Sequence, residues 1–181
     1  MALKATVFKA ELQIADMDRN YYQTHALTVA RHPSETDERM MVRILAFALY
    51  ASEALTFGKG IAAEDEPTLW EKDLTGTIEL WIDVGHPEER EIRKACGRAK
   101  QVVIISYGRA AEQWWSQNHD KLQRISNLTV LRLATSATQA LAALANRNMV
   151  LQCNIQEGLT WITADSGAVQ VEPEVLLLAA C

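Results

Sequence analysis

Alternating hydrophobic and polar positions mark both ends of the chain. Residues 3 to 14 alternate as a strand, and a polar turn around Asp18 leads into a second alternating segment at residues 21–30. Near the other end, the same pattern predicts three short strands, at residues 149–155, 159–163 and 168–171. Both ends of the chain therefore predict antiparallel hairpins.

The middle of the chain switches between helical and strand patterns. Ser34 is a typical N-cap, and residues 40–49 are apolar almost all round, which predicts a buried helix. Further helices are predicted from Pro87, over 110–122, and from Ser136, which forms a capping box with Gln139. Continuous apolar runs predict strands buried on both faces, at residues 102–106 and 128–133.

Strands that alternate with helices favour parallel pairing and right-handed crossovers. The fold class predicted from these elements is therefore α/β (α+β), with a mixed β-sheet flanked by helices and antiparallel hairpins at both termini. The length of 181 residues predicts one domain spanning residues 1–181.

A predicted hairpin between residues 66 and 85 has the most informative pattern. Glycine accepts the positive φ that tight turns need, so Thr75-Gly76 predicts a two-residue turn. With that turn, the numbers of opposed residues add up to 151, and Trp70 lies opposite Trp81. The apolar face then carries Leu69, Ile78, Leu80, Ile82 and Val84. The polar face carries Glu66, Thr68, Trp70, Lys72, Glu79, Trp81 and Asp83.

Composition and charge narrow the class of protein. With 49% hydrophobic and 23% charged residues, the chain matches ordinary globular proteins, and no window approaches the ~20 apolar residues of a membrane span. A net charge of −5 is unusual for a strong non-specific polyanion binder. The cysteines, Cys96, Cys153 and Cys181, are odd in number and far apart, which disfavours a disulfide framework and favours a reducing cytoplasm.

Three long stretches resemble a known family. The run DEPTLWEKDLTGTIELWIDVGHPEEREIRKACGRA, the opening MALKATVFKAEL and the segment ARHPSETDERMMVRILAFALYASEAL are similar to the YaeQ family of bacterial proteins. The resemblance covers nearly the whole chain. It implies the restriction-endonuclease-like fold of the PD-(D/E)XK nucleases and, by analogy of fold alone, activity on nucleic-acid phosphodiesters.

The resemblance also implies a metal site. In the nuclease family an acid stands on the first hairpin strand, an acid-x-lysine motif on the second, and a further acid often on the preceding helix. The matching candidate ligands of Mg²⁺ or Mn²⁺ are Glu66 (with Asp65 as its rival), Asp83 and Glu53. Gly85 stands where the motif lysine is expected. Lys94 on the next helix is predicted to replace it as the catalytic cation, beside the catalytic acids Glu66 and Asp83.

The same residues allow a structural interpretation. Glu66 and Asp83 can instead be solvated acids that pair with the cations of the following helix. The cations on one face of that helix are Arg90, Arg93, Lys94 and Arg98, which equally suit nucleic-acid phosphates. Trp70 and Trp81 suit either a base-stacking platform or an aromatic cross-strand pair, and the cross-strand pair is favoured because such pairs commonly stabilise sheets.

Two functional hypotheses follow. In the first, the protein is a metal-dependent nuclease whose metal binding and cleavage depend on Asp83. In the second, it is a nuclease-fold protein without catalysis that binds nucleic acid, or a protein of the transcription machinery, through the helix cations. Gly85 is the sequence feature that separates the two, because the first needs another group to supply the missing charge.

Overall fold

The structure, a computed structural model, describes residues 4–59 and 65–180. Residue 3, Gly60 and Cys181 lie outside these ranges. The helices in the described residues are α1 (Asp37–Tyr50), α2 (Glu89–Arg98), α3 (Ala111–Leu122) and α4 (Thr135–Ala142). The strands are β1 (Thr6–Asp16), β2 (Tyr21–Arg31), β3 (Leu55–Phe57), β4 (Leu69–Lys72), β5 (Ile78–Val84), β6 (Ala99–Ser106), β7 (Leu128–Arg132), β8 (Asn148–Gln156), β9 (Leu159–Ala164), β10 (Gly167–Val171) and β11 (Glu174–Leu177). Within these ranges, no helix combines the length and hydrophobicity of a membrane span.

The chain forms two compact units, each with its own sheet. Unit 1 comprises Met1–Leu49 and Ala134–Pro173, and unit 2 comprises Tyr50–Leu133 and Glu174–Cys181. The strand orders are β10-β9-β8-β1-β2 and β11-β7-β6-β5-β4-β3. The mixed α and β class is confirmed, but the expectation of one mixed sheet is wrong, because the two terminal hairpins join each other. The prediction of a single domain over residues 1–181 stays a prediction.

Unit 1 is held together by contacts between the two ends of the chain. β1 pairs antiparallel with β2 and parallel with β8, from Lys9 opposite Asn148 to Asp16 opposite Ile155. The buried hydrophobic residues of β1 alternate as predicted, and they are Phe8, Ala10, Leu12 and Ile14. The Asp18 carboxylate accepts the N–H groups of Glu157 (2.7 Å) and Gly158 (3.0 Å), which fastens one hairpin turn to the other.

Helix α1 is buried as predicted, but its cap differs. Every residue from Met40 to Ala48 is buried. The hydroxyl of Thr36, not that of Ser34, accepts the N–H of Arg39 at 3.1 Å, because the helix begins at Asp37 and the capping residue directly precedes it. The Ser34 hydroxyl instead contacts the ring of His32 at 2.6 Å.

Helix α4 corrects a second capping prediction. Its N-cap position belongs to Ala134, which has no side-chain cap, and Ser136 lies inside the helix. The predicted box of Ser136 and Gln139 is therefore wrong. It placed the helix start two residues too late.

Unit 2 contains the parallel pairs that the middle of the chain predicted. β5, β6 and β7 pair in parallel, and α2 and α3 connect them. β4 pairs antiparallel with β5, β3 pairs antiparallel with β4, and β11 pairs antiparallel with β7. The short strands β3 and β11 were not predicted. On the helix side, the core cluster includes Trp81, Ile92, Val102, Ile104 and Trp114.

Candidate functional site

The β4–β5 hairpin keeps the predicted register along most of its length. Leu69 lies opposite Ile82, Trp70 opposite Trp81, and Glu71 opposite Leu80. A bulge after Glu71 then shifts Lys72 to a position opposite Ile78. The sum of 151 predicted Lys72 opposite Glu79, and that pairing is therefore wrong. Glu79 instead binds the ammonium group of Lys100 at 2.7 Å.

The turn explains the register shift. Asp73 C=O accepts the N–H of Gly76 at 3.1 Å, and Asp73 N–H donates to Thr77 C=O at 2.9 Å, so the loop is longer than the predicted two residues. The Asp73 carboxylate also accepts the N–H groups of Thr75 (2.8 Å) and Thr77 (2.9 Å). Gly76 has φ +88, as the turn requires. Because the Asp73 carboxylate satisfies N–H groups of the loop, the longer loop is favoured over the predicted two-residue turn.

Asp83 joins the end of β5 to the start of β4. One carboxylate oxygen accepts the N–H of Thr68 at 3.1 Å, and the other accepts the indole N–H of Trp81 at 2.8 Å. The Thr68 hydroxyl accepts the N–H of Val84 at 3.3 Å. The Asp83 carboxylate therefore satisfies donors of its own hairpin. The i, i+2 spacing of Trp81 and Asp83, which puts both side chains on one strand face, was the sequence signal for this contact.

Glu66 is directed to the other side of β4. Its carboxylate accepts the N–H of Lys59 at 2.9 Å, and Lys59 follows β3. β3 and β5 lie on opposite sides of β4 in the sheet. The carboxylates of Glu66 and Asp83 are therefore held by hydrogen bonds on opposite flanks of the same strand.

Asp65, the rival of Glu66, receives the cations of α2. The Lys94 ammonium group binds its carboxylate at 2.8 Å, and the Arg98 guanidinium donates to its backbone C=O at 3.0 Å. The hydrogen bond and charge of Lys94 hold the pKa of the Asp65 carboxyl below its usual value, and Asp65 raises the pKa of Lys94 in turn. The cation predicted to lie beside Glu66 is thus bonded to the preceding residue.

Glu53 lies outside the helix that was expected to carry it. α1 ends at Tyr50, and Glu53 is exposed in the turn that follows. The Ser52 hydroxyl shapes this turn by accepting the N–H of Leu55 at 3.1 Å and donating to Glu71 at 2.7 Å. The expectation that Glu53 stands on the preceding helix is wrong, because α1 ends three residues earlier, at Tyr50.

The donor set fits a metal ion poorly. Among residues 4–59 and 65–180, no three His, Cys, Asp or Glu side chains are grouped so that they could hold an ion. Mg²⁺ often uses only one or two carboxylates with water and phosphate oxygens. Asp83 and Asp65 are two acids near α2, and each already accepts hydrogen bonds, Asp83 from Thr68 and Trp81 and Asp65 from Lys94.

Gly85, where a lysine was expected, has a backbone conformation that favours glycine. Its φ is +112, a conformation that residues with a Cβ rarely adopt, although a Cβ there would meet no atom within 4 Å. Its N–H donates to Ile105 C=O at 2.9 Å, which fixes this conformation between neighbouring strands. Backbone geometry, not lack of space, therefore disfavours lysine at this position.

The cations of α2 divide into bonded and open ones. Arg93 donates to Glu89 at 2.8 Å and to the C=O of Lys121 at 2.7 Å, which joins α2 to the end of α3. Arg90 has a side chain that is 88% exposed, and its nearest acid is Glu91 at 3.5 Å. Among the cations of α2, Arg93 thus has a structural role, whereas Arg90 is accessible to solvent.

The two tryptophans form the favoured cross-strand pair. Their rings meet edge to face with centroids 6.1 Å apart. Trp81 is only 6% exposed and belongs to the core, so its predicted role as a stacking surface is not supported. Arg98 lies over the Trp81 ring at 5.0 Å, and Lys72 lies over the half-buried Trp70 ring at 3.6 Å. Trp70 is therefore the more accessible of the two rings.

Comparisons with known proteins agree on one family. A family model described as YaeQ protein matches residues 1–173. The uncharacterized protein YaeQ of Escherichia coli (strain K12) is 46% identical over 172 residues, covering 94% of this chain and 95% of its own. The crystal structure of YaeQ protein from Xanthomonas axonopodis pv. citri has a TM-score of 0.93 at 51% identity, covering 96% of this chain and 98% of its own. That of YaeQ protein from Pseudomonas syringae has a TM-score of 0.92 at 33% identity, covering 96% and 97%.

Proposed function

This chain belongs to the YaeQ family, and we propose that it binds nucleic acid through the helix side of unit 2 without hydrolysing it. The observation that carries the proposal is a row of cations beside a reachable ring. Lys72 covers Trp70, Arg98 covers Trp81, and Lys94 and Arg90 continue along α2. Aromatic rings for bases combined with cations for phosphates are the usual means of binding single strands.

The lack of hydrolysis rests on the acids. The carboxylates of Glu66 and Asp83 hold donors on opposite flanks of β4, and Gly85 has a backbone conformation unsuited to lysine. The restriction-endonuclease-like fold is part of the proposal, and the mixed sheet of unit 2 with its hairpin, α2 and parallel β6 supports it. The proposal assumes a cytoplasmic location, where nucleic acid is present and thiols stay reduced.

Binding is tested by fluorescence anisotropy with single-stranded DNA, single-stranded RNA and duplex DNA over a range of salt concentrations. We expect single strands to bind best, with affinity falling as salt rises. Trp70→Ala should weaken binding by about 1–3 kcal/mol per stacked base. Arg90→Ala should lower the salt slope by about 1, because one phosphate contact is lost.

Lys9→Ala is the matched control, since Lys9 is an exposed cation on the sheet of unit 1. It should bind like the wild type. The proposal is overturned if the wild type shows no salt-dependent binding to any of the three nucleic acids. It is equally overturned if Trp70→Ala and Arg90→Ala behave like the control.

Metal-dependent hydrolysis is the second candidate, favoured by the Lys94 ammonium group, which binds the carboxylate of Asp65 ahead of β4. It is tested by incubating the same nucleic acids with Mg²⁺ or Mn²⁺ and separating the products on gels. Cleavage that disappears in Asp83→Asn and Lys94→Ala would establish this candidate and refute binding without hydrolysis. Intact substrate under every condition, together with binding, is the result that we expect.

A further inference from the structure

The two edges of the unit 1 sheet differ in length and protection. β10 has 5 residues, whereas β2 has 11, all of them paired with β1 in a register without a bulge. Native sheets usually protect an edge with a short strand, a bulge, a proline or a charged side chain. Between Tyr22 and Ala30 the sequence contains no proline, lysine, aspartate or glutamate. This edge therefore lacks the usual barriers to pairing.

The direction of the β2 backbone groups follows from the bonds of β1. Lys9 N–H donates to Arg147 C=O at 2.8 Å, and Met17 N–H donates to Ile155 C=O at 2.8 Å. The backbone N–H and C=O groups of the odd-numbered β1 residues therefore point towards β8. The backbone N–H and C=O groups of the even-numbered β1 residues therefore point towards β2. Through the register that pairs Phe8 with Val29, they bond the odd-numbered residues of β2. The even-numbered residues of β2 point their N–H and C=O away from the sheet.

These outward residues form the open edge, and all of them are exposed: Tyr22, Thr24, Ala26, Thr28 and Ala30. The C=O of Ala30 accepts a hydrogen bond from the Arg43 guanidinium at 3.0 Å, which closes that end of the edge. Between Tyr22 and Thr28, the described part of the chain supplies no partner for the outward groups. Strong donors and acceptors thus stand in a row facing water.

We propose that this open edge pairs with the same edge of a second copy of the chain, antiparallel around a two-fold axis. Thr24 lies opposite Ala26 in this pairing, and Tyr22 lies opposite Thr28. Each outward N–H of one strand then meets an outward C=O of the other, so the four residues with open groups satisfy one another completely. The unit 1 sheets of the two copies then form one continuous sheet.

The chemistry of the edge favours a second copy over an unrelated peptide. Apart from Tyr22, the residues of the open edge have small, uncharged side chains. These side chains offer neither a pocket nor a charge for recognising another sequence. Self-pairing places the aromatic Tyr22 against the β-branched Thr28, a stabilising cross-strand combination, and residues 22–28 contain no lysine, arginine, aspartate or glutamate. A two-fold axis closes the assembly at two chains.

The test compares molar mass by size-exclusion chromatography with light scattering over a series of protein concentrations. The wild type should shift towards the dimer as concentration rises. Ala26→Pro should weaken dimerisation at least about tenfold, because it removes two symmetry-related hydrogen bonds. The monomer tolerates this proline because the Ala26 N–H points away from the sheet, and circular dichroism checks that the fold is kept.

A matched pair of lysine variants separates edge pairing from a general charge effect. Thr24→Lys adds a charge on the open edge, while Gln13→Lys adds it on the opposed residue of β1, one strand further in. Only Thr24→Lys should give a monomer. A monomeric wild type throughout the series overturns the proposal, as does a dimer that survives both Ala26→Pro and Thr24→Lys.

Cysteine cross-linking tests the register. Thr24→Cys and Ala26→Cys proteins are oxidised separately and as a mixture, and disulfide-linked peptides are identified by mass spectrometry. The expected result is a disulfide between positions 24 and 26 in the mixture and no symmetric disulfide in either protein alone. A disulfide between two copies of position 26, or none in the mixture, would refute the proposed pairing.

Discussion

The two sheets of the molecule bury their strands in different ways. In unit 1, β8 alternates strictly between exposed and buried residues. In unit 2, every residue of β6 from Val102 to Ser106 is buried. An alternating strand presents one face to the core and the other to solvent, whereas a continuous buried run is covered on both faces.

This difference decides what a polar residue in each sheet means. On the open face of unit 1, Gln152 and Asn154 are exposed and need no partner in the protein. In unit 2, buried polar groups have identifiable partners: the Ser106 hydroxyl donates to Leu131 C=O at 3.0 Å, and the Thr68 hydroxyl accepts from Val84. Charged groups in unit 2 are therefore more informative about chemistry than those on the open face of unit 1.

The largest expected effect concerns a buried ion pair in unit 1, whose charged groups need partners, unlike the exposed polar residues of β8. Arg43 is 4% exposed, burial lowers its pKa, and its guanidinium binds Glu35, which also binds Arg39. Glu35→Gln should reduce the free energy of unfolding by about 3–5 kcal/mol, because a buried cation loses its counter-charge. Urea denaturation measures the loss.

The matched control for that prediction is Asp37→Asn, which removes an exposed partner of Arg31 at the start of the same helix. Its effect should stay within about 1 kcal/mol. Equal effects of the two variants would mean that the buried pair contributes no more than an exposed one.

The next effect compares the sheets directly. Ile104 is fully buried at the centre of β6, and Val150 is 52% exposed on the open face of β8. Ile104→Ala should lower the free energy of unfolding by about 2–5 kcal/mol through lost burial and a cavity. Val150→Ala should change it by less than about 0.5 kcal/mol. Similar losses for both, measured in urea, would contradict the one-faced burial of β8.

The smallest effect concerns the thiols. Burial raises the pKa of Cys153 in β8 to about 12 and that of Cys96 in α2 to about 11. At pH 9, iodoacetamide should therefore label both more slowly in the native protein than in urea, because only the thiolate reacts. Both thiols stay protonated in the fold at a pH where the unfolded chain ionises. Stability is thus complete below about pH 9 and falls as the pH rises towards 11 and above.

That prediction is measured by mass spectrometry of the labelled peptides and by melting temperature against pH. Replacing Cys96 by serine should flatten the fall in melting temperature between pH 9 and 11. Rapid labelling of Cys153 in the native protein would show that the buried face of the unit 1 sheet is accessible to solvent.

Much of the fold could be predicted from the sequence, because the spacing of hydrophobic residues and the length of apolar runs indicate which residues of a segment are buried. The alternation of β1, the buried stretch of α1 and the parallel strands of unit 2 all followed from such patterns. The strands β3 and β11 were missed because 3 and 4 residues are too few to show a period. The parallel pairing of β1 with β8 joins distant segments, and no local pattern encodes it.

The candidate site was less readable because side-chain direction decides it. Asp65 and Glu66 are neighbours in sequence, yet one binds Lys94 on α2 and the other binds the N–H of Lys59 after β3. The sequence identified the pair of acids but could not assign them to these two flanks. The contact of Trp81 with Asp83 was accessible from spacing, whereas the bulge after Glu71 depended on how Asp73 closed its loop.

The link between Asp18 and Gly158 has a consequence for the order of events during synthesis. These residues are 140 positions apart in the chain, so this link and the pairing of β1 with β8 form only after β8 and β9 have emerged from the ribosome. The segment from Tyr50 to Leu133 carries the strands β3 to β7 and emerges earlier, and the sheet of unit 2 then still lacks β11, which pairs with β7. The strands β3 to β7 of unit 2 are therefore expected to pair during translation before β1 meets β8, and β11 joins their sheet last.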